Sequence, residues 1–129
     1  MRIMHENDIG KCIVDTAIQI HRNIGPGLLE KVYEAILANQ LTEQGFNVKR
    51  QVAIPIHYQG IKFDEAFRAD LIIENKVIVE LKCVENLNNS HKKQLLTYLR
   101  LTDIHLGYLL NFNEYLMKNG INRTVNRLT

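Results

Sequence analysis

Two apolar runs, Leu71 to Ile73 and Val77 to Val79, flank a short polar break made of Glu74, Asn75 and Lys76. The runs are rich in β-branched residues, and asparagine tolerates the left-handed dihedrals of a tight turn. The stretch therefore reads as a β-hairpin and commits the middle of the chain to a sheet. Charges stand at the open end of this hairpin. Asp70 opens the first strand, and Glu80 and Lys82 close the second. Alternate side chains of a strand share a face, so Glu80 and Lys82 point the same way. Cross-strand pairing brings Asp70 alongside them. The Glu-x-Lys tripeptide alone reads as a surface ion pair where the sheet ends. The full set, Asp70 with Glu80 and Lys82 on paired strands, reads as a site for a hard divalent cation. Two carboxylates and a backbone carbonyl would hold it, with an amine nearby.

The arrangement resembles the PD-(D/E)xK nuclease superfamily. Asp70 matches its first acid and Glu80-Leu81-Lys82 its second motif, while Ala69 stands where a proline often precedes the acid. The resemblance implies a restriction-endonuclease-like core, Mg²⁺ or Mn²⁺ as cofactor, and nucleic acid as substrate.

At 129 residues the chain is expected to form a single domain, 1–129, large enough to bury a real core. A net charge of +2 permits a nucleic-acid partner without arguing for one. Cys12 and Cys83 lie far apart and form neither a metal motif nor a disulfide framework, which fits a reducing cytoplasm. No apolar run approaches the ~20 residues that span a bilayer, so no membrane association is expected, and the N-terminus has no signal-peptide pattern.

From the N-terminus, Asn7 or Asp8 can cap a first helix, and Ile9, Ile13, Ala17, Ile20 and Ile24 form one apolar stripe. His21 borders that stripe, as a boundary residue or a ligand. Gly25-Pro26-Gly27 breaks the helix. A second helix is expected from about Leu28 to Gln44, with Leu28, Leu29, Val32, Ile36, Leu37 and Leu41 apolar. Glu30 sits in its first turn, where the helix dipole favours a carboxylate. Tyr33 is either a core residue or a hydrogen-bond partner of that acid. The block from His21 through Gly25-Pro26-Gly27-Leu28-Leu29-Glu30 to Tyr33 resembles the GxxExxY protein family, which is placed in the same superfamily. The resemblance implies that Glu30 faces the metal site. It also implies that His21 is a ligand, as in RecB-like members.

After Gly45 the period changes. Val48, Val52, Ile54 and Ile56 alternate with polar residues as in a half-buried strand, with Arg50 a polar exception on the apolar side. Pro55 indicates an edge or a bulge. Tyr58-Gln59-Gly60 makes a turn, and Ile61 to Phe67 leads into the Asp70 strand. Arg68 would share a face with Asp70, to pair with a carboxylate or grip a phosphate. Ser90 can cap a third helix running to about Leu101. Gln94 and Tyr98 share one face of it and resemble the Gln-x-x-x-Tyr motif of the RecB-like branch. That resemblance places them beside the active site, holding nucleic acid. Lys92, Lys93 and Arg100 suit phosphate contacts or a solvated surface equally. Gly107 to Phe112 reads as a buried strand, and Tyr115 to Val125 as a closing hairpin turned at Asn119-Gly120.

The element order predicts an α/β fold, a mixed β-sheet flanked by helices. The expected activity is metal-dependent hydrolysis of phosphodiesters, with DNA ahead of RNA. Asp70, Glu80 and the Leu81 carbonyl would hold the principal ion, and Glu30 a second ion or its water. Lys82 would orient the attacking water, help deprotonate it, or offset developing negative charge, with the orienting and electrostatic role preferred. The alternative is a catalytically weak nucleic-acid-binding or accessory protein that keeps the fold. The sequence does not fix the oligomeric state; a chain this small can form a homodimer that presents two sites, or work with an unidentified protein partner.

Overall fold

The computed structural model describes residues 4–129. Helices α1 (Glu6–Ile24) and α2 (Glu30–Glu43) come first. Strands β1 (Val48–Tyr58), β2 (Ile61–Ile73) and β3 (Val77–Lys82) follow, then α3 (Asn89–Thr102), β4 (Leu106–Asn111), a short 3-10 helix (Met117–Gly120) and β5 (Ile121–Val125). The strands form one sheet in the order β1-β2-β3-β4-β5. Only β3 and β4 run parallel, joined through α3; the other neighbours are antiparallel. The mixed sheet flanked by helices is the expected α/β architecture, consistent with a restriction-endonuclease-like core.

Each sheet face has its own apolar cluster. Ile9, Ile13, Ala17 and Ile20 of α1 and Tyr33, Leu37 and Leu41 of α2 bury Leu71, Val79, Leu81 and Leu110 on one face. Leu95 and Leu99 of α3 bury Ile72, Ile78 and Leu109 on the other. The β2–β3 turn is as the sequence indicates. Glu74 and Asn75 both take positive φ, 55° and 54°, and Lys76 N–H closes the turn on the Ile73 carbonyl at 2.9 Å. β1 is an edge strand, and its register shifts between Ile54 and Ile56, around Pro55.

Several expected details differ. His5, not Asn7 or Asp8, caps α1, its ring accepting the Asn7 N–H at 2.9 Å. Asn88, not Ser90, caps α3, in a reciprocal capping box with His91. Ile24 is exposed, and so are Leu28, Leu29 and Val32. Leu28 and Leu29 precede α2, which starts at Glu30 and buries Tyr33, Glu34, Leu37, Ala38 and Leu41 instead. The Tyr33 ring sets that face by stacking on Phe112, with centroids 4.5 Å apart. Asn119-Gly120 turns no hairpin. It ends the 3-10 helix, and β5 then pairs with β4. Glycine is needed at position 120 because a Cβ there would run into the Asn111 carbonyl.

The largest departure is in β1. Regular alternation would put Val48 and Val52 on one face, and likewise Ala69 and Leu71. Instead Val48, Leu71 and Ile73 pack under α1 and α2, while Val52, Ile54, Phe67 and Ala69 pack under α3. The β1–β2 ribbon turns over between them. Pairing skips from Arg50↔Leu71 to Val52↔Ala69, and Gln51, at the skipped position opposite Asp70, has φ 49°.

Candidate active site

The site grows from the point where β2 and β3 separate. Their ladder pairs Ile73 with Val77, Ile72 with Ile78 and Leu71 with Val79, then stops. Asp70 and Glu80 come next, and their side chains replace the missing ladder bonds. Glu80 Oε2 accepts the Asp70 N–H at 2.7 Å, and Asp70 Oδ2 accepts the Leu81 N–H at 2.9 Å. Each carboxylate is thus anchored on the other strand's backbone. Phe112 N–H donates to the Lys82 carbonyl at 2.9 Å and fixes the end of β3 against β4.

Glu80 is 6% exposed. Burial, reinforced by the charge of Asp70, pushes its carboxyl up to about 8, although the Asp70 N–H and Lys82 oppose this. Glu30, the first residue of α2, is also raised, first by partial burial and then by Asp70 and Glu34, against the pull of Lys82. Lys82 therefore acts electrostatically on both acids. It makes no ion pair within 4.0 Å among the described residues, nor do Asp70 and Glu80.

Tyr98 belongs to this neighbourhood. Burial and then the charges of Glu80 and Asp70 raise its phenol, and its ring stacks on Phe67 with centroids 3.6 Å apart. Gln94 lies exposed one turn earlier on α3, and Lys92 and Lys93 are exposed in the first turn.

The structure gives three of the candidate residues definite partners. His21 Nε2 lies 2.7 Å from the Glu114 carbonyl, and its ring is tilted beside Phe112. It lines a cavity of about 710 Å³ with Arg22, Pro26, Tyr115 and Leu116. Arg68 pairs with a carboxylate, one of its two expected uses. It donates to Glu65 at 2.6 Å and to the Gln51 carbonyl at 3.1 Å, which the left-handed turn has swung out of the ladder. Tyr33 does not hold the acid. Its hydroxyl donates to the Gly25 carbonyl at 2.6 Å and accepts the Leu28 N–H at 3.2 Å, bracing the loop that delivers Glu30. Tyr33→Phe leaves both groups unpaired and is expected to cost about 1–2 kcal/mol in urea unfolding.

The sequence reading missed Glu34 and Gln51. Glu34, 5% exposed, accepts from Arg50 at 3.1 and 3.2 Å and from Gln51 Nε2 at 2.6 Å. Two signals were available. Glu34 stands one helical turn after Glu30, and Arg50 interrupts the apolar side of β1.

Among the described residues, no three His, Cys, Asp or Glu side chains stand close enough to enclose a metal ion as they are. The donors nevertheless suit a hard divalent cation. Among the described residues, Asp70 and the buried Glu80 form an adjacent carboxyl pair that makes no ion pair, and a cation would relieve their repulsion.

A family model of the PD-(D/E)XK nuclease superfamily matches residues 7–124. The chain belongs to this superfamily. The PD-(D/E)XK match spans both helices ahead of the sheet, the Asp70 and Glu80 strands, and α3. A solved structure titled "Crystal structure of SSO0001" is similar at 20% identity and a TM-score of 0.45, over 94% of this chain and 79% of that one. No curated protein matches the chain. No helix among the described residues is long and apolar enough to cross a membrane.

Proposed function

We propose that this protein is a divalent-metal-dependent nuclease acting on nucleic acid, with DNA ahead of RNA, and that residues 1–129 work as a single nuclease-like domain. The carrying observation is the reciprocal anchoring of Asp70 and Glu80 across parted strands, with Lys82 acting on Glu80 from two residues away. Within the superfamily, the Gly25-to-Tyr33 block favours the GxxExxY family, and Gln94 with Tyr98 favours a RecB-like relationship. Its two free cysteines suit a reducing, cytoplasmic setting.

Asp70, Glu80 and the Leu81 carbonyl would hold Mg²⁺ or Mn²⁺, with Glu30 completing the set from α2. When bound, the ion supplies positive charge beside the scissile phosphate and makes water more acidic. The Lys82 ammonium orients the attacking water and offsets negative charge as it builds on the phosphoryl oxygens. Gln94 and Tyr98 position the strand, and Lys92 and Lys93 contact its phosphates.

A second reading has its own observation: both acids already give one oxygen to backbone N–H groups, and among the described residues no third acid has closed on them. That favours an accessory protein that binds nucleic acid and needs a partner, or a second copy, to complete the site. One assay separates the two. Labelled single- and double-stranded DNA and RNA are incubated with Mg²⁺, Mn²⁺ or EDTA. Cutting that EDTA abolishes supports the nuclease. Metal-independent binding without cutting supports the accessory reading.

A further inference from the structure

Gln51 occupies an unusual place. It is a non-glycine residue with φ 49° in the middle of a strand, a conformation that L side chains with a Cβ adopt rarely. The turnover of the β1–β2 ribbon happens at this residue, directly opposite Asp70. Its side chain makes two contacts. The amide nitrogen lies 2.6 Å from Glu34 Oε1 and 3.3 Å from Asp70 Oδ1. A primary amide has two N–H donors, so one group can serve both carboxylates.

Glu34 is a fixed anchor for that amide. Its other oxygen takes both Nε and Nη2 of Arg50, and the carboxylate is buried. Asp70 is consequently specified at both oxygens, Oδ2 by the Leu81 N–H and Oδ1 by Gln51. The backbone is stabilised in the same place, because Arg68, held by Glu65, takes the Gln51 carbonyl. Strain, anchor and support all lead to one side chain, and that side chain ends on the first acid of the site.

We propose that Gln51 is a positioning residue. Its left-handed backbone carries the amide from Glu34, which Arg50 holds, to Asp70, and so sets the orientation in which Asp70 meets a divalent cation. This inference rests on the nuclease reading of Asp70 and Glu80. Glutamine is required by its chemistry: alanine cannot reach, and a glutamate would bring a third negative charge against two acids.

The test uses Gln51→Gly and Gln51→Asn in the full chain. Glycine takes this φ without strain and asparagine tolerates it, so neither variant should lose the fold. Glycine relieves the strained φ but leaves Glu34 Oε1 without its Gln51 donor, so the metal-free Tm of Gln51→Gly is expected to stay close to that of wild type. Mn²⁺ affinity, measured by calorimetry, is expected to fall about tenfold or more in both variants. Cleavage should fall about 10–100-fold in kcat with KM for nucleic acid unchanged. Wild-type Mn²⁺ affinity and kcat in both variants would overturn the proposal. So would a Tm that falls in step with activity, since a purely structural role gives that result. A wild type that neither binds Mn²⁺ nor cuts removes the nuclease reading and this inference together. A competent wild type beside unchanged variants removes this inference alone.

Discussion

Lys82→Ala is expected to cut nucleic acid about 10²–10⁴-fold more slowly than wild type while binding Mn²⁺ at least as tightly. The two effects have opposite signs because Lys82 is not a donor to the cation. Its ammonium lowers the proton affinity of both Glu30 and Glu80, so its field reaches both acids. The same field repels a metal ion, and its removal eases metal binding. What is lost is the charge that orients water and offsets the forming phosphorane. Asp70→Asn should behave differently, losing Mn²⁺ affinity and cutting together. Asparagine is the better choice there because its side-chain carbonyl can still accept the Leu81 N–H. Alanine would leave that donor unpaired at the strand end and mix a folding defect with a chemical one. Rates from single-turnover assays and Mn²⁺ affinities from calorimetry check both variants. A Lys82→Ala protein that cuts at the wild-type rate would place Lys82 outside the chemistry.

Much of this was legible in the sequence, for identifiable reasons. The β2–β3 hairpin has strong local signals, apolar β-branched runs around a turn that takes positive φ, and its register then puts Asp70 opposite Glu80. Local signals failed where tertiary contacts decide. Leu28 and Leu29 looked helical, yet the loop before α2 is braced by the Tyr33 hydroxyl, and Tyr33 on Phe112 selects the buried face. Asn119-Gly120 carries a hairpin signal, but glycine is needed there for close approach to the Asn111 carbonyl.

The turnover at Gln51 is the clearest case. Period-2 alternation assumes a strand that keeps one face to one core, and β1 serves two cores in succession. Arg50 then falls on the side of α2 and finds Glu34, which explains its place among apolar neighbours. Gln51 follows a rule that no window of neighbouring residues contains: its partners are on α2 and β2, distant in sequence. His21 makes a contact of the same long-range kind. Spacing to Gly25 and Glu30 says nothing about Glu114, whose carbonyl takes the imidazole Nε2.

Metal-free protein is expected to lose stability as pH rises from about 5 to 8, by on the order of 3–5 kcal/mol through Glu80 alone. The sign follows from proton binding. Below about 4.5 the carboxyl is protonated both folded and unfolded, and contributes no slope. Between 4.5 and about 8 the unfolded chain has released the proton, while folded Glu80 retains it. The folded state then binds more protons, so each rise in pH favours unfolding until both states are charged. Burial is the main cause, Asp70 adds to it, Glu34 adds a little, and the Asp70 N–H and Lys82 work against it. Glu80→Gln keeps a side-chain carbonyl for the Asp70 N–H and removes the titration. The variant should therefore match wild type near pH 4.5 and exceed it at pH 8, by roughly 10 °C in Tm. Thermal melts in EDTA across this range measure the difference between the two proteins, which cancels the other titrating groups. Mn²⁺ added at pH 8 should restore much of the lost stability to wild type and little to Glu80→Gln, because only the carboxylate is a strong donor. Parallel pH profiles for the two proteins would show that Glu80 is solvated and charged at neutral pH, and that the Asp70–Glu80 pair is not the buried, unneutralised acid pair on which the metal assignment stands.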